Sequence, residues 1–343
     1  MSRRRRRAQR VTFFSALRAV PRRRTLLAAC GVAVVLALGF TLLRGRPAPV
    51  APSVAAPIPP RQPTADTRPS VQPGEDAIAA VLRQDEVRIS AAAVATVPGA
   101  RAVPAWQRNA APAPRSDGRP VIAIIIDDMG VDRRRSRQVV ALSGPLTLAY
   151  LPYAADVGQQ AANARRAGHE IMLHMPMEAD GREDPGPQPL TVALGAEETR
   201  RRLAAQLDRL GSVVGANNHM GSRFTAHRAP MQVVVAELAA RGLFFVDSRT
   251  TAGTVAEDVA RAGGIPAVAR DVFLDNELQA AAVRARLQET EGIARRRGSA
   301  IAIGHPHDAT LAALAAWIAT LRERGFVLVP VSAVVRMRTA VSG

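Results

Sequence analysis

Seven short apolar runs alternating with seven helical segments predict an α/β domain on a parallel sheet, a seven-stranded (β/α) barrel-like fold over residues 118–343. Two features of the runs carry this reading. They are rich in Val and Ile, as strands covered by helices on both faces are. The polar residues least typical of the composition also follow them directly, and in parallel βα units all strand ends meet on one rim, where ligands collect.

The chain before this domain has a different character. Residues 1–24 form a basic leader, and residues 1–46 carry 12 Arg and no acidic residue. Thr25 to Leu43 is a charge-free apolar stretch long enough, as a helix, to cross the hydrocarbon core of a bilayer. With arginine on its N-terminal side, it predicts an uncleaved, single-pass inner-membrane anchor whose N-terminus is cytoplasmic and whose globular domain is periplasmic. Residues 44–117, dominated by Ala and Pro, read as a linker that buries too little apolar surface to fold. The one cysteine, Cys30, excludes an intrachain disulfide.

All 46 basic residues are Arg, and the net charge is +17. Residues 118–343 nevertheless carry 27 basic and 23 acidic residues, so the excess belongs mainly to the leader. With only two Trp and two Tyr in addition, a nucleic-acid partner is not expected.

Within the domain, strands are expected at 121–126, 146–151, 170–174, 213–216, 243–246, 300–303 and 327–329. Helices are expected at about 133–142, 155–167, 196–210, 230–241, 254–261, 277–296 and 308–324. The first strand, in VIAIIIDDMG, delivers Asp127 and Asp128. The third is followed by His174 and Glu178, the fourth by Asn217, Asn218 and His219, the fifth by Asp247, Ser248 and Arg249, and the run 300–303 by His305. Singly, each has a bland reading as a cap, a core histidine or a loop carboxylate. Gathered on one rim, they are ligands of the kind Zn²⁺ takes, with carboxylate and imidazole left over for proton transfer.

Several segments carry a resemblance. Gly168-His169-Glu170-Ile171 with His174 resembles a motif of polysaccharide deacetylases, and Ile126-Asp127-Asp128 resembles their aspartate pair. IDDMG, LTLAYLPY, GHEIMLHMPME, NNHMGSRFT, FFVDSRTT, RDVFLDN and AIAIGHP, in this order, are similar to the divergent polysaccharide deacetylase family of bacterial envelopes. The resemblance implies Asp127 as catalytic base, Asp128 and His174 as ligands of a divalent metal such as Zn²⁺, and His305 as general acid. Where the family's H-x-x-x-H spacing has a second histidine, this chain has Glu178, so the third ligand is Glu178 or His219. The usual substrate motif is replaced by NHMGSRF, which puts Asn218, Ser222 and Arg223 beside substrate, with Asp247, Arg249 and Arg270 further round the rim. The function implied is metal-dependent removal of N-acetyl or O-acyl groups from an envelope glycan. The alternative is an inactive glycan- or protein-binding module, with other envelope proteins as partners.

Overall fold

The computed structural model describes residues 103–340. The leader, the anchor and the linker up to residue 102 lie outside the described residues. Among the described residues, no helix is long and apolar enough to cross a membrane.

Among the described residues, nine parallel strands form one curved sheet: β1 (Val121–Met129), β2 (Thr147–Tyr150), β3 (Glu170–Met177), β4 (Gly215–Met220), β5 (Phe244–Asp247), β6 (Ala267–Ala269), β7 (Val272–Phe273), β8 (Ser299–Gly304) and β9 (Val327–Leu328). The order is β6-β5-β4-β3-β2-β1-β8-β7, with β9 beside the start of β1, so β6 and β7 remain open edges. The expected barrel is therefore a curled half-barrel. Its seven anticipated strands are present, and β6 and β7, three and two residues long, are additional.

Helices follow as α1 (Ala105–Arg108), α2 (Arg133–Val140), α3 (Val157–Arg166), α4 (Ala196–Leu210), α5 (Arg228–Ala240), α6 (Ala256–Ala262), α7 (Ala280–Arg297), α8 (Asp308–Leu321) and α9 (Val331–Ala340). Residues 103–117 depart from the linker expectation. Trp106 in α1 is buried edge-on against Phe244, with ring centroids 6.0 Å apart, and its backbone N–H donates to the Gly242 carbonyl. One large aromatic provides enough apolar area to fix a segment whose Ala/Pro composition hides it.

The sheet sorts its side chains by the two-residue period of a strand. On β1, Ile122, Ile124 and Ile126 pack in the cluster that includes helix residues such as Leu203, Leu238 and Leu314. Val121, Ala123 and Ile125 join the opposite cluster with Ile301 and Ile303 of β8, Phe244 and Val246 of β5, and Val331, Val334 and Val335 of α9. The concave face is thus filled by Trp106 and α9 rather than left hollow. Continuing the concave series along each strand gives Asp127 from β1, His174 from β3, Ser248 after β5 and His305 after β8. These positions follow from register alone.

Candidate metal and acid–base site

The aspartate pair needs a backbone irregularity to act together. In a regular strand, Asp127 and Asp128 point to opposite faces. The β1–β2 register slips between Ile126 and Met129, and Asp128 has φ 55°. A bulge with a left-handed residue re-aims a side chain at modest cost, and Asp tolerates that conformation better than most residues. As a result both carboxylates reach the same ring: Asp127 Oδ2 lies 3.7 Å from His174 Nδ1, and Asp128 Oδ1 lies 3.3 Å from His174 Nε2. Gly130 completes the turn with φ 106°, and a Cβ there would sit 2.7 Å from Ala154 Cβ.

His174 and Asn217 face each other across β3 and β4, in register. Asn217 donates through Nδ2 to both Asp127 oxygens at 2.8 and 3.0 Å, and its Oδ1 lies 2.9 Å from His174 Nδ1. Because a carboxylate only accepts, the amide orientation is fixed, and His174 Nδ1 must be the donor to Asn217. In the neutral ring, Nε2 is then a bare lone pair. It faces His219 Nδ1 at 3.1 Å, and His219 Nδ1 lies 3.0 Å from Asp128 Oδ1.

Three potential ligand atoms therefore lie 3.0–3.3 Å from one another. A tetrahedral zinc ion with bonds of about 2.0–2.1 Å holds its ligand atoms about 3.3 Å apart. Asp128 Oδ1 is buried and accepts no hydrogen bond, and of the described residues Asp128, His174 and His219 form a group suited to a cation. The donor set and its spacing fit a divalent metal.

Opposite this triad stands His305. Its Nδ1 is 3.0 Å from Asp275 Oδ1, and its backbone N–H donates to Asp275 Oδ2 at 2.7 Å, leaving Nε2 turned towards Asp128 Oδ2 at 4.0 Å. Asp275 Oδ2 also accepts from Thr310 Oγ1 at 2.8 Å. Asp275, His305 and His307 form a second group of candidate ligands, but these hydrogen bonds occupy both Asp275 oxygens, so Asp275 and His305 read as an oriented dyad.

The electrostatics separate the acids. Burial pushes Asp127 up, against the charges of His174 and His305 and the Asn217 hydrogen bond. Asp128 is held well below the carboxylate range: burial opposes this, but the His174 and His219 imidazoles beside it outweigh it. Burial also opposes charge on His305, yet the Asp275 hydrogen bond and the charges of Asp127, Asp275 and Asp128 push it up to about 9.

Other anticipated residues lie elsewhere. Glu178 does not join the cluster, because β3 ends at Met177 and the chain turns away. Its Oε2 accepts the Val192 N–H at 2.7 Å, and its Oε1 pairs with Arg223 at 3.3 Å. Asn218 points to the face opposite Asn217 and His219, donating to the Met220 carbonyl and accepting from the Ser248 N–H. Ser222 accepts the Asp180 N–H. Asp247, also off the concave series, accepts from the Arg249 N–H and from Thr254 Oγ1. Arg270 donates to the Ser248 and Arg249 carbonyls and stacks 5.0 Å over Phe273, so it shapes the loop. Arg249 is exposed on the rim. Asn217, which the sequence places on the rim without a role, and Asp275, readable there as a rim residue or a structural ion pair, join the site as orienting partners. The concave register would have selected Asn217, two residues before His219, over Asn218.

The family profile of divergent polysaccharide deacetylases matches residues 124–335, from the middle of β1 into α9. The chain belongs to the divergent polysaccharide deacetylase family. Among curated relatives of this deacetylase-family domain, the uncharacterized protein YibQ of Escherichia coli is 35% identical over 193 residues, 56% of this chain and 60% of YibQ. An uncharacterized protein of Haemophilus influenzae is 34% identical over 205 residues, 59% of this chain and 72% of that one. A solved structure, of an uncharacterized protein from Agrobacterium tumefaciens, superposes with a TM-score of 0.66 at 29% identity, covering 69% of this chain and 98% of that one.

Proposed function

We propose that the domain hydrolyses acyl groups, N-acetyl or O-acyl, on an envelope glycan with the aid of a divalent metal, zinc being one ion that two imidazoles and a carboxylate suit. The observation that carries this reading is the mutual 3.0–3.3 Å spacing of Asp128 Oδ1, His174 Nε2 and His219 Nδ1, with Asp127 and His305 beside them. Membership of the deacetylase family supports it.

A divalent cation at the triad supplies Lewis acidity, acidifying water and polarising a carbonyl oxygen. The residues of the chain handle the protons. Asp127, buried and braced by Asn217 at both oxygens, keeps lone pairs free to take a proton from water. Asp275 holds the His305 ring so that Nε2 faces the site and can give a proton to the departing amine or alcohol. The two proton carriers stand on different strands, β1 and the end of β8, which pair in register from Val121–Ser299 to Ile126–Gly304. Acceptor and donor are thus held side by side, at the same end of one pair of neighbouring strands.

The test is acetate release from N-acetylated oligosaccharides by zinc-supplemented full-length protein. Wild type should release acetate and Asp127→Asn should not. Equal background from both would overturn the hydrolytic reading in favour of a binding module.

A further inference from the structure

Beside the site, one strand over, lies a cavity of about 440 Å³ lined by Pro152, Tyr153, Gln188, Arg202, Gln206 and Arg209 among others. This volume lies in the range of small-molecule sites. The cavity adjoins the candidate site through the turn after β2. The Leu151 N–H donates to the Met129 carbonyl at 3.0 Å, and Ala154 packs directly on Gly130, so Tyr153 stands next to the end of β1. On the other side the loop after β3 closes on the same ring: a Cβ on Gly186, which has φ 92°, would lie 2.6 Å from Tyr153.

The floor is one face of α4. Arg201, Arg202, Ala205, Gln206 and Arg209 recur at helical spacing, with the small Ala205 leaving room between the arginines. Each arginine is anchored along part of its guanidinium. Arg201 pairs with Glu198 at 2.7 Å, Arg202 with Glu198 at 2.7 Å and the Pro189 carbonyl at 2.8 Å, and Arg209 Nε donates to the Pro152 carbonyl at 2.6 Å. An arginine carries five N–H donors, so these contacts fix the side chains without exhausting them. One carboxylate, Glu198, balances Arg201 and Arg202, whereas Arg209 has no ion-pair partner among the described residues; Asp184 near Tyr153 offsets part of the excess. Gln206 is buried, its Nε2 tied to the Gln188 carbonyl at 3.0 Å, while its Oε1 is buried without a partner.

From this we infer that the cavity is a subsite for a carboxylate-bearing sugar of the chain whose neighbouring residue occupies the Asp128 site. Fixed guanidinium groups recognise a planar carboxylate through paired N–H donors, and the Tyr153 ring offers a face to the sugar. The substrate class is then an acidic glycan. The inference rests on the hydrolytic reading for the role of the subsite, and its test reads binding so that the two can fail separately.

The experiment is calorimetric titration of full-length protein with two N-acetylated oligosaccharides of equal length, one neutral and one carrying a carboxylate on the sugar next to the acetylated one. Wild type should bind the acidic chain at least tenfold more tightly. Arg209→Gln should reduce that ratio several-fold. Ala205→Glu, at an exposed helix position, should bring it to one or below while the melting temperature holds. Equal affinity of wild type for both chains, or a ratio unchanged in Ala205→Glu, would overturn the subsite. A preserved ratio with no acetate release from either chain would leave the subsite standing and remove the hydrolytic reading.

Discussion

Asn217 couples Asp127 to His174: its amide nitrogen holds both oxygens of the aspartate at 2.8 and 3.0 Å, and its amide oxygen accepts from the imidazole at 2.9 Å. One neutral side chain thus braces the proposed proton acceptor and sets the tautomer of a proposed metal ligand. Partners that orient a ligating histidine typically contribute 10- to 100-fold to metal affinity. Asn217→Leu, close in volume and without polar atoms, should weaken zinc binding by about that factor in a competition titration with a chromophoric chelator. Unchanged affinity would mean that His174 needs no such brace.

Asp275 stands in the same relation to His305, holding it at 3.0 Å. Asp275→Asn should lower kcat on the order of 10²-fold while leaving zinc content at the wild-type level, because general acid catalysis is worth 10²–10⁴ and the dyad lies outside the triad. Loss of zinc together with activity would instead make Asp275 part of the metal site.

Away from the rim, Glu170 is buried at the start of β3, where its carboxylate accepts from Thr147 Oγ1 and the Ser332 N–H, both at 3.1 Å. Burial raises its pKa, and these hydrogen bonds only partly offset that. The folded state therefore holds this proton more tightly than the unfolded chain does. The associated stability is fully present below the ordinary glutamate value near 4.5 and is lost as pH rises through the raised value. Glu170→Gln should remove this component, so the difference in melting temperature between variant and wild type should move in favour of the variant as pH rises from 4.5. A pH-independent difference would contradict the assignment.

Trp106 tests where the folded unit begins. Trp106→Ala should cost about 3 kcal/mol in urea denaturation, the range for truncating a buried aromatic. A linker residue would cost nothing measurable.

Much of this was legible in the sequence, for particular reasons. Val121 to Ile126 is too β-branched and too uniformly apolar for a surface element, and the polar residues behind such runs identified the rim. Less legible were features that depend on a single residue or on backbone detail. Two- and three-residue strands such as β7 and β6 leave no periodicity to read. Trp106 sits in a segment whose composition says linker. Glu178 continues a suggestive spacing, but β3 ends before it, and no spacing rule shows where a strand stops. The choice of Asn217 over Asn218 and of Ser248 over Asp247 was available from alternation, since each concave residue lies two positions from the next.

The triad itself is tested most directly by metal content of purified full-length protein, measured by atomic emission after zinc loading and dialysis, in wild type, His219→Ala and Glu178→Ala. The geometry predicts one zinc per chain in wild type and Glu178→Ala, and substoichiometric zinc in His219→Ala, where two of the three clustered ligand atoms remain. Full retention of zinc by His219→Ala, with its loss from Glu178→Ala, would contradict the site.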